Sequence, residues 1–125
     1  MLKKILIVDD EDKIVNLMVR YLTRSKFEAI GAVGGAKAIE ILAKDESIDL
    51  VITDLKMPEV NGVEVLKECL KRHKKALILT ASINLSKHGE DLVKMNYNLD
   101  EVLYKPIDMK ILIEAINRKL SESNS

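Results

Sequence analysis

Ile5-Leu6-Ile7-Val8-Asp9-Asp10-Glu11-Asp12 decides the fold. Four consecutive aliphatic residues leave no polar face, as in a strand buried on both sides of a parallel sheet, and the run stops abruptly in four acidic residues. The period then changes. Ile14, Leu17, Met18, Tyr21 and Leu22 fall at i, i+3, i+4, i+7 and i+8, which predicts one apolar face of an amphipathic helix over residues 12–25.

Outward from this unit the alternation repeats. Residues 27–33 form a second, weaker strand broken by Gly31, and Gly34-Gly35 precede a helix carrying Ala38, Ile39 and Leu42. Asp49-Leu50-Val51-Ile52-Thr53 is a third strand ending at Asp54. Pro58, Asn61 and Gly62 then mark a loop, and Val63, Leu66 and Leu70 the inner face of the next helix. Ala76-Leu77-Ile78-Leu79-Thr80 is the fourth strand. Residues 84–98 carry a weaker helix on Leu85, Leu92 and Val93, diluted by Gly89 and two Asn residues. Val102-Leu103-Tyr104 is a short fifth strand, Lys105-Pro106 a turn, and Met109, Leu112, Ile113, Ile116 and Leu120 the face of a closing helix. Five strands alternating with five helices imply right-handed crossovers and a parallel sheet covered on both faces, in one domain over residues 1–120. Residues 121–125 read as a polar tail or the start of a linker.

Composition narrows the function classes. The 125 residues carry 20 basic and 20 acidic side chains, so no electrostatic footprint for nucleic acid exists. The single Cys69 excludes an internal disulfide and reads as a packing residue; no Cys/His spacing resembles a zinc site. His73 and His88 read as surface residues. No apolar run approaches the roughly twenty residues of a membrane span, and Met1-Leu2-Lys3-Lys4 leads into a strand rather than a signal peptide. A cytoplasmic location is expected. With 47% hydrophobic but only 3% aromatic residues, Ile, Leu and Val must fill the core.

In open parallel sheets, ligands bind at the carboxyl ends of the strands. Those ends carry Asp9 and Asp10, Asp54, Thr80 and Lys105. Singly, each has a structural reading: acids at a helix start complement its dipole, an Asp ends a strand in a turn, a Thr favours strands, a Lys is solvated. Together they are forced onto one rim, where carboxylates about 4 Å apart repel by roughly 4 kcal/mol per pair at an effective dielectric near 20. Lys105 offsets part of this, and a hard divalent cation held by oxygen ligands, Mg²⁺ above all, would offset more. A carboxylate in such a pocket can attack phosphorus, while the cation, Lys105 and Thr80 stabilise the transferred oxygens.

This ordered set resembles the receiver domain of bacterial two-component response regulators, and is similar to the single-domain chemotaxis regulator. The resemblance rests on Asp9-Asp10, on Asp54 followed by Met57-Pro58 and Gly62, on Thr80-Ala81 and on Lys105-Pro106. It implies a flavodoxin-like sheet of order 2-1-3-4-5. It also implies Asp54 as phosphoacceptor, with Mg²⁺ held by Asp10, Asp54 and the backbone carbonyl of Lys56, and by Asp9 through water. Thr80 and Lys105 would contact the phosphoryl group, Ala81 would leave it room to enter, and the Lys105–Pro106 bond would be cis. The implied donor is a phosphohistidine of a sensor histidine kinase or a histidine phosphotransfer protein. Such a domain is not a conventional enzyme but catalyses its own phosphorylation and dephosphorylation. The added charge of about −1.5 to −2 would pull Thr80 toward it and shift a face built from residues 84–120 that docks a downstream protein. The chain itself would be a monomer or weak dimer, either a stand-alone regulator or a domain excised from a longer chain.

Three features depart from the family. Val102 stands where an aromatic switch residue is usual, and Tyr104, on the same strand face, either substitutes for it or forms interface. The stretch from Thr80 to Lys105 spans 105 − 80 = 25 positions, a few more than the family's pattern, and the usual Gly-Ala step before the fifth strand is absent. Lys56 and Ser82 occupy the positions that in the family adjust the phosphoryl lifetime. An alternative reading is a pseudo-receiver that binds a protein without phosphorylation; it would favour loss of Asp10, Asp54 or Lys105, all of which are present. A flavin or nucleotide module needs a phosphate cradle where Asp9–Asp12 would repel one, and a hydrolase needs a substrate cap for which no segment exists.

Overall fold

The computed structural model describes residues 2–81 and 89–122. Five parallel strands, β1 (Lys4–Asp9), β2 (Glu28–Val33), β3 (Leu50–Thr53), β4 (Lys75–Thr80) and β5 (Leu103–Tyr104), lie in the order β2-β1-β3-β4-β5. The helices are α1 (Asp12–Arg24), α2 (Gly35–Lys44), α3 (Gly62–Lys71), α4 (Gly89–Lys94) and α5 (Met109–Leu120), with a 3-10 turn at Leu99–Glu101. The expected flavodoxin-like architecture and strand order are therefore present.

Side chains alternate across the central strands, so one run of aliphatics fills two cores. Leu6, Val8, Val51 and Ile78 pack with Ala38, Leu42, Leu66 and Leu92 from α2, α3 and α4. Ile5, Ile7, Ile52, Leu77 and Leu79 pack with Met18, Leu22, Leu112 and Ile116 from α1 and α5. Both faces are buried, which is why these strands carry no polar alternation.

Two helix faces are rotated from their expected settings. On α1 the buried stripe is Val15, Met18 and Leu22, while Leu17 is 67% exposed. The cause is Gly31 on β2: a Cβ there would stand 2.4 Å from Val15 Cγ1, so the missing side chain admits Val15 to the sheet. On α3 the inner face is Val63, Val65, Leu66 and Cys69, and Leu70 is 59% exposed. Cys69 and Leu70 both satisfy helical spacing from Leu66, and the sheet's position selects Cys69.

The helix expected over 84–98 is shorter where it is described. It runs over Gly89–Lys94 with Leu92 buried and Val93 exposed. It ends where Asn96 adopts φ 60 and Tyr97 N–H donates to the Leu92 carbonyl at 2.9 Å, the 6→1 bond of a Schellman cap. Ser82, Leu85, His88 and residues 123–125 lie outside the described residues. The fifth strand lacks Val102, which ends the 3-10 turn instead. His73 is exposed and Cys69 buried, both as expected.

Candidate functional site at the carboxyl rim of the sheet

The ends of β1, β3, β4 and β5 are laced together by backbone. Asp54 N–H donates to the Val8 carbonyl at 3.1 Å, and Lys105 N–H to the Thr80 carbonyl at 2.8 Å. Parallel pairing brings these ends level, so residues far apart in the chain meet at one rim.

Each acidic side chain is held differently. Asp9 is buried; its Oδ1 accepts the Glu11 N–H at 3.0 Å, an Asx turn that starts α1, and its Oδ2 pairs with Lys105 Nζ. Asp54 is also buried. Its Oδ1 accepts the N–H groups of Leu55 at 2.7 Å and Lys56 at 3.3 Å, and its Oδ2 accepts Lys105 Nζ at 3.0 Å. Asp10 is exposed to the cleft. Partial desolvation, the adjoining Asp9 carboxylate and the charge of Asp54 hold its carboxyl above the usual carboxylate range. One ligand oxygen from each of Asp9, Asp10 and Asp54 lies within 4.8 Å of the others.

Lys105 is the counter-charge. Burial disfavours its ammonium, but the hydrogen bonds and charges of Asp9 and Asp54 outweigh that cost and raise its pKa above the ordinary lysine value. It is therefore charged throughout the neutral range. The Lys105–Pro106 bond is cis, as expected.

Asp10, Asp54, Lys56, Thr80 and Ala81 line one cleft of about 690 Å³. Thr80 is fully buried at the tip of β4, whereas Ala81 is exposed. The two expected switch positions separate: Val102 is 6% exposed and part of the core, and Tyr104 is 41% exposed at the end of β5. Sequence reasoning overlooked Glu11, which lines the cleft beside Asp10, and Thr53, whose hydroxyl donates to the Asp54 carbonyl at 2.8 Å. Glu11 directly follows the acidic pair, a signal that was available. Thr53 carried none, because a strand Thr is ordinarily a packing residue.

The clustered carboxylates of Asp9, Asp10 and Asp54 outnumber Lys105, the one ammonium bonded to them among the described residues. Oxygen-only donors fit a hard divalent cation.

The family model described as response regulator receiver domain matches residues 5–117. The chain belongs to this family of two-component receiver domains. The receiver is 31% identical to the transcriptional regulatory protein CpxR of Escherichia coli K12, over 98% of this chain and 51% of that protein. It is 30% identical to the response regulator SaeR of Staphylococcus aureus strain USA300, over 94% of the chain and 50% of that protein. The receiver thus spans about half the length of the curated relatives it matches. Among solved structures it is similar to the response regulator protein TrrA from Thermotoga maritima in complex with Mg²⁺-BeF. That match has 32% identity and a TM-score of 0.78, covering 94% of this chain and 98% of that one. A CheY-like receiver domain protein from Methanospirillum hungatei is 26% identical with a TM-score of 0.84, over 96% of this chain and 94% of that one. No helix among the described residues is long and apolar enough to cross a membrane.

Proposed function

We propose that this receiver accepts a phosphoryl group on Asp54 in a Mg²⁺-dependent reaction and thereby switches a protein-docking face. The observation that carries the reading is the convergence of the Asp9, Asp10 and Asp54 carboxylates within 4.8 Å, with Lys105 bonded to two of them. The similar TrrA structure, in complex with Mg²⁺-BeF, supports the choice of metal.

Asp10, Asp54 and the Lys56 carbonyl would hold Mg²⁺, with Asp9 acting through water. When bound, the ion supplies charge stabilisation for the oxygens of the transferred group. An Asp54 oxygen bonds to phosphorus as the bond from phosphorus to the donor imidazole breaks, and the imidazole leaves with the bonding pair. Lys105, already charged and tied to Asp54, stabilises the negative charge on the oxygens of the transferred group, and the Thr80 hydroxyl contacts the group that arrives. Ala81, exposed beside Thr80, leaves the mouth of the cleft clear of bulk. The same residues serve hydrolysis, so the domain supplies the chemistry of its own phosphorylation and dephosphorylation.

The donor is a phosphohistidine on a sensor kinase or phosphotransfer protein, and the reaction belongs in the cytoplasm. Residues 1–120 act as the receiver unit, with residues 121–125 as tail or linker. Tyr104 at the end of β5 and Ile111 on α5, both exposed, form part of the responding face.

Intact-mass spectrometry after incubation with acetyl phosphate tests this. One Mg²⁺-dependent phosphoryl adduct on the wild type, absent from Asp54→Asn, is expected. Undiminished labelling of the mutant would overturn the assignment.

A further inference from the structure

The end of the sheet opposite Asp54 is built in its own way. β4 has six residues and β5 two, so their ladder holds only Leu79 with Leu103 and Thr80 with Tyr104. Where further rungs would lie, the Tyr97 hydroxyl accepts the Ile78 N–H at 3.1 Å. The long connection between Thr80 and Lys105 is thus spent partly on a side chain standing in for a strand.

Beside Tyr97 lies a groove of about 470 Å³ between the carboxyl ends of α3, α4 and α5 and the start of β4. Its floor is apolar, made by Leu66, Cys69, Ala76, Met95 and the Tyr97 ring. Burial pushes the Cys69 thiol up to about 12, so it adds no charge to that floor. Four lysines, Lys74, Lys75, Lys94 and Lys119, contribute to the lining, against one acidic residue among the described residues, Glu122.

Among the described residues, Lys74 and Lys75 have no carboxylate within 4.0 Å. Lys74 Nζ donates to the Glu46 carbonyl at 2.6 Å, and Lys75 Nζ to the carbonyls of Leu120 at 3.0 Å and Glu122 at 2.6 Å. Those bonds orient the two lysines without cancelling their charge. Lys119 is shared between Glu101 and Glu122 and lies 5.9 Å from the Tyr97 ring centroid. Lys94 pairs, among the described residues, only with the solvated Glu90, at 3.8 Å.

We propose that this groove binds a small organic anion with an apolar body: a carboxylate, sulfonate or phosphate monoester on an aliphatic or aromatic frame. The volume is that of a ligand pocket rather than of an extended macromolecular track. The apolar floor gains from covering a hydrocarbon body, and the uncompensated ammonium groups gain from an anionic head. An inorganic anion would leave the floor wet, and a neutral apolar molecule would leave the charge unanswered.

Amide chemical-shift titrations of the full chain with octanoate, octanol and inorganic phosphate test the proposal. Saturable octanoate shifts are expected at Leu66, Leu70, Ala76 and Tyr97, with octanol about tenfold weaker and phosphate not saturating. The variant Lys74→Gln/Lys94→Gln should lose about tenfold in octanoate affinity and keep its octanol affinity. Lys94→Gln alone, at an exposed side chain, should show part of that loss with an unperturbed spectrum. Octanoate shifts centred elsewhere, equal affinity for octanol, or an unchanged double variant would each overturn the assignment.

Discussion

Gly62 lies directly against the backbone of Asp54: a Cβ at position 62 would stand 2.0 Å from the Asp54 carbonyl oxygen and 2.6 Å from Leu55 Cα. The glycine N–H also donates to the Leu55 carbonyl at 2.9 Å. The first residue of α3 and the Asp54 loop thus share a space that only a missing side chain provides. The obstructing atoms are main chain and cannot rotate away. Gly62→Ala should cost about 2 kcal/mol in urea unfolding, the usual scale of overpacking, and slow labelling by acetyl phosphate because the Asp54 loop is displaced.

Asp10 is the most exposed of the three clustered carboxylates, and it has no ammonium partner within 4.0 Å among the described residues. Its replacement therefore removes a proposed ligand while sparing the buried Asp9–Lys105–Asp54 pairing. Asp10→Asn should weaken Mg²⁺ binding at least about tenfold by calorimetry while raising the unfolding midpoint in Mg²⁺-free buffer at neutral pH, because a carboxylate whose charged form is disfavoured in the fold is replaced by a neutral amide. An unaltered Mg²⁺ titration would locate the metal elsewhere. Chelation of Mg²⁺ should likewise abolish the wild-type adduct.

Tyr97 is half-buried, and burial pushes its phenol well above the usual tyrosine range, so it remains a neutral hydrogen-bonding group at any working pH. Tyr97→Phe removes the acceptor of the Ile78 N–H and leaves that donor at the sheet edge. A loss of about 1–2 kcal/mol is expected, with faster hydrogen exchange at Ile78 and little change at the opposite rim.

The hydrogen bond from Lys4, and with it those from the Ser47 hydroxyl and N–H, holds the Asp45 carboxyl far below the usual carboxylate range. A depressed folded-state pKa stabilises the fold above the unfolded value, near about 4, and that contribution disappears as the pH falls through the window below it. Asp45→Asn should be less stable than the wild type at pH 6. The gap between their urea midpoints should close progressively below about pH 4.

Cys69 is 1% exposed, and its thiol is pushed up to about 12 by burial. Alkylation by iodoacetamide at pH 8 should therefore proceed only through opening of the fold, at a rate that rises in parallel with urea-induced unfolding. Prompt labelling of the native protein would contradict the packing of α3 on the sheet.

The order of elements, the two-faced burial of the strands and the convergence of Asp9, Asp10, Asp54 and Lys105 on one rim were all legible in the chain. They depend on local period, on right-handed crossovers and on which residue ends each strand, all of which are written along the sequence. The rotation of α1 was not legible, because Leu17 and Val15 fit a helical stripe equally well and the choice falls to the vacancy at Gly31. Nor was the choice of Cys69 over Leu70, the loss of Val102 from β5 or the role of Tyr97. The Ile78–Tyr97 bond joins positions 19 apart and Lys105–Asp54 positions 51 apart, yet only the second was inferable, since a charge among carboxylates declares its partner. A phenol filling the place of a strand declares nothing until the strand beside it proves too short, and that is decided by packing between elements rather than by the pattern within any one of them.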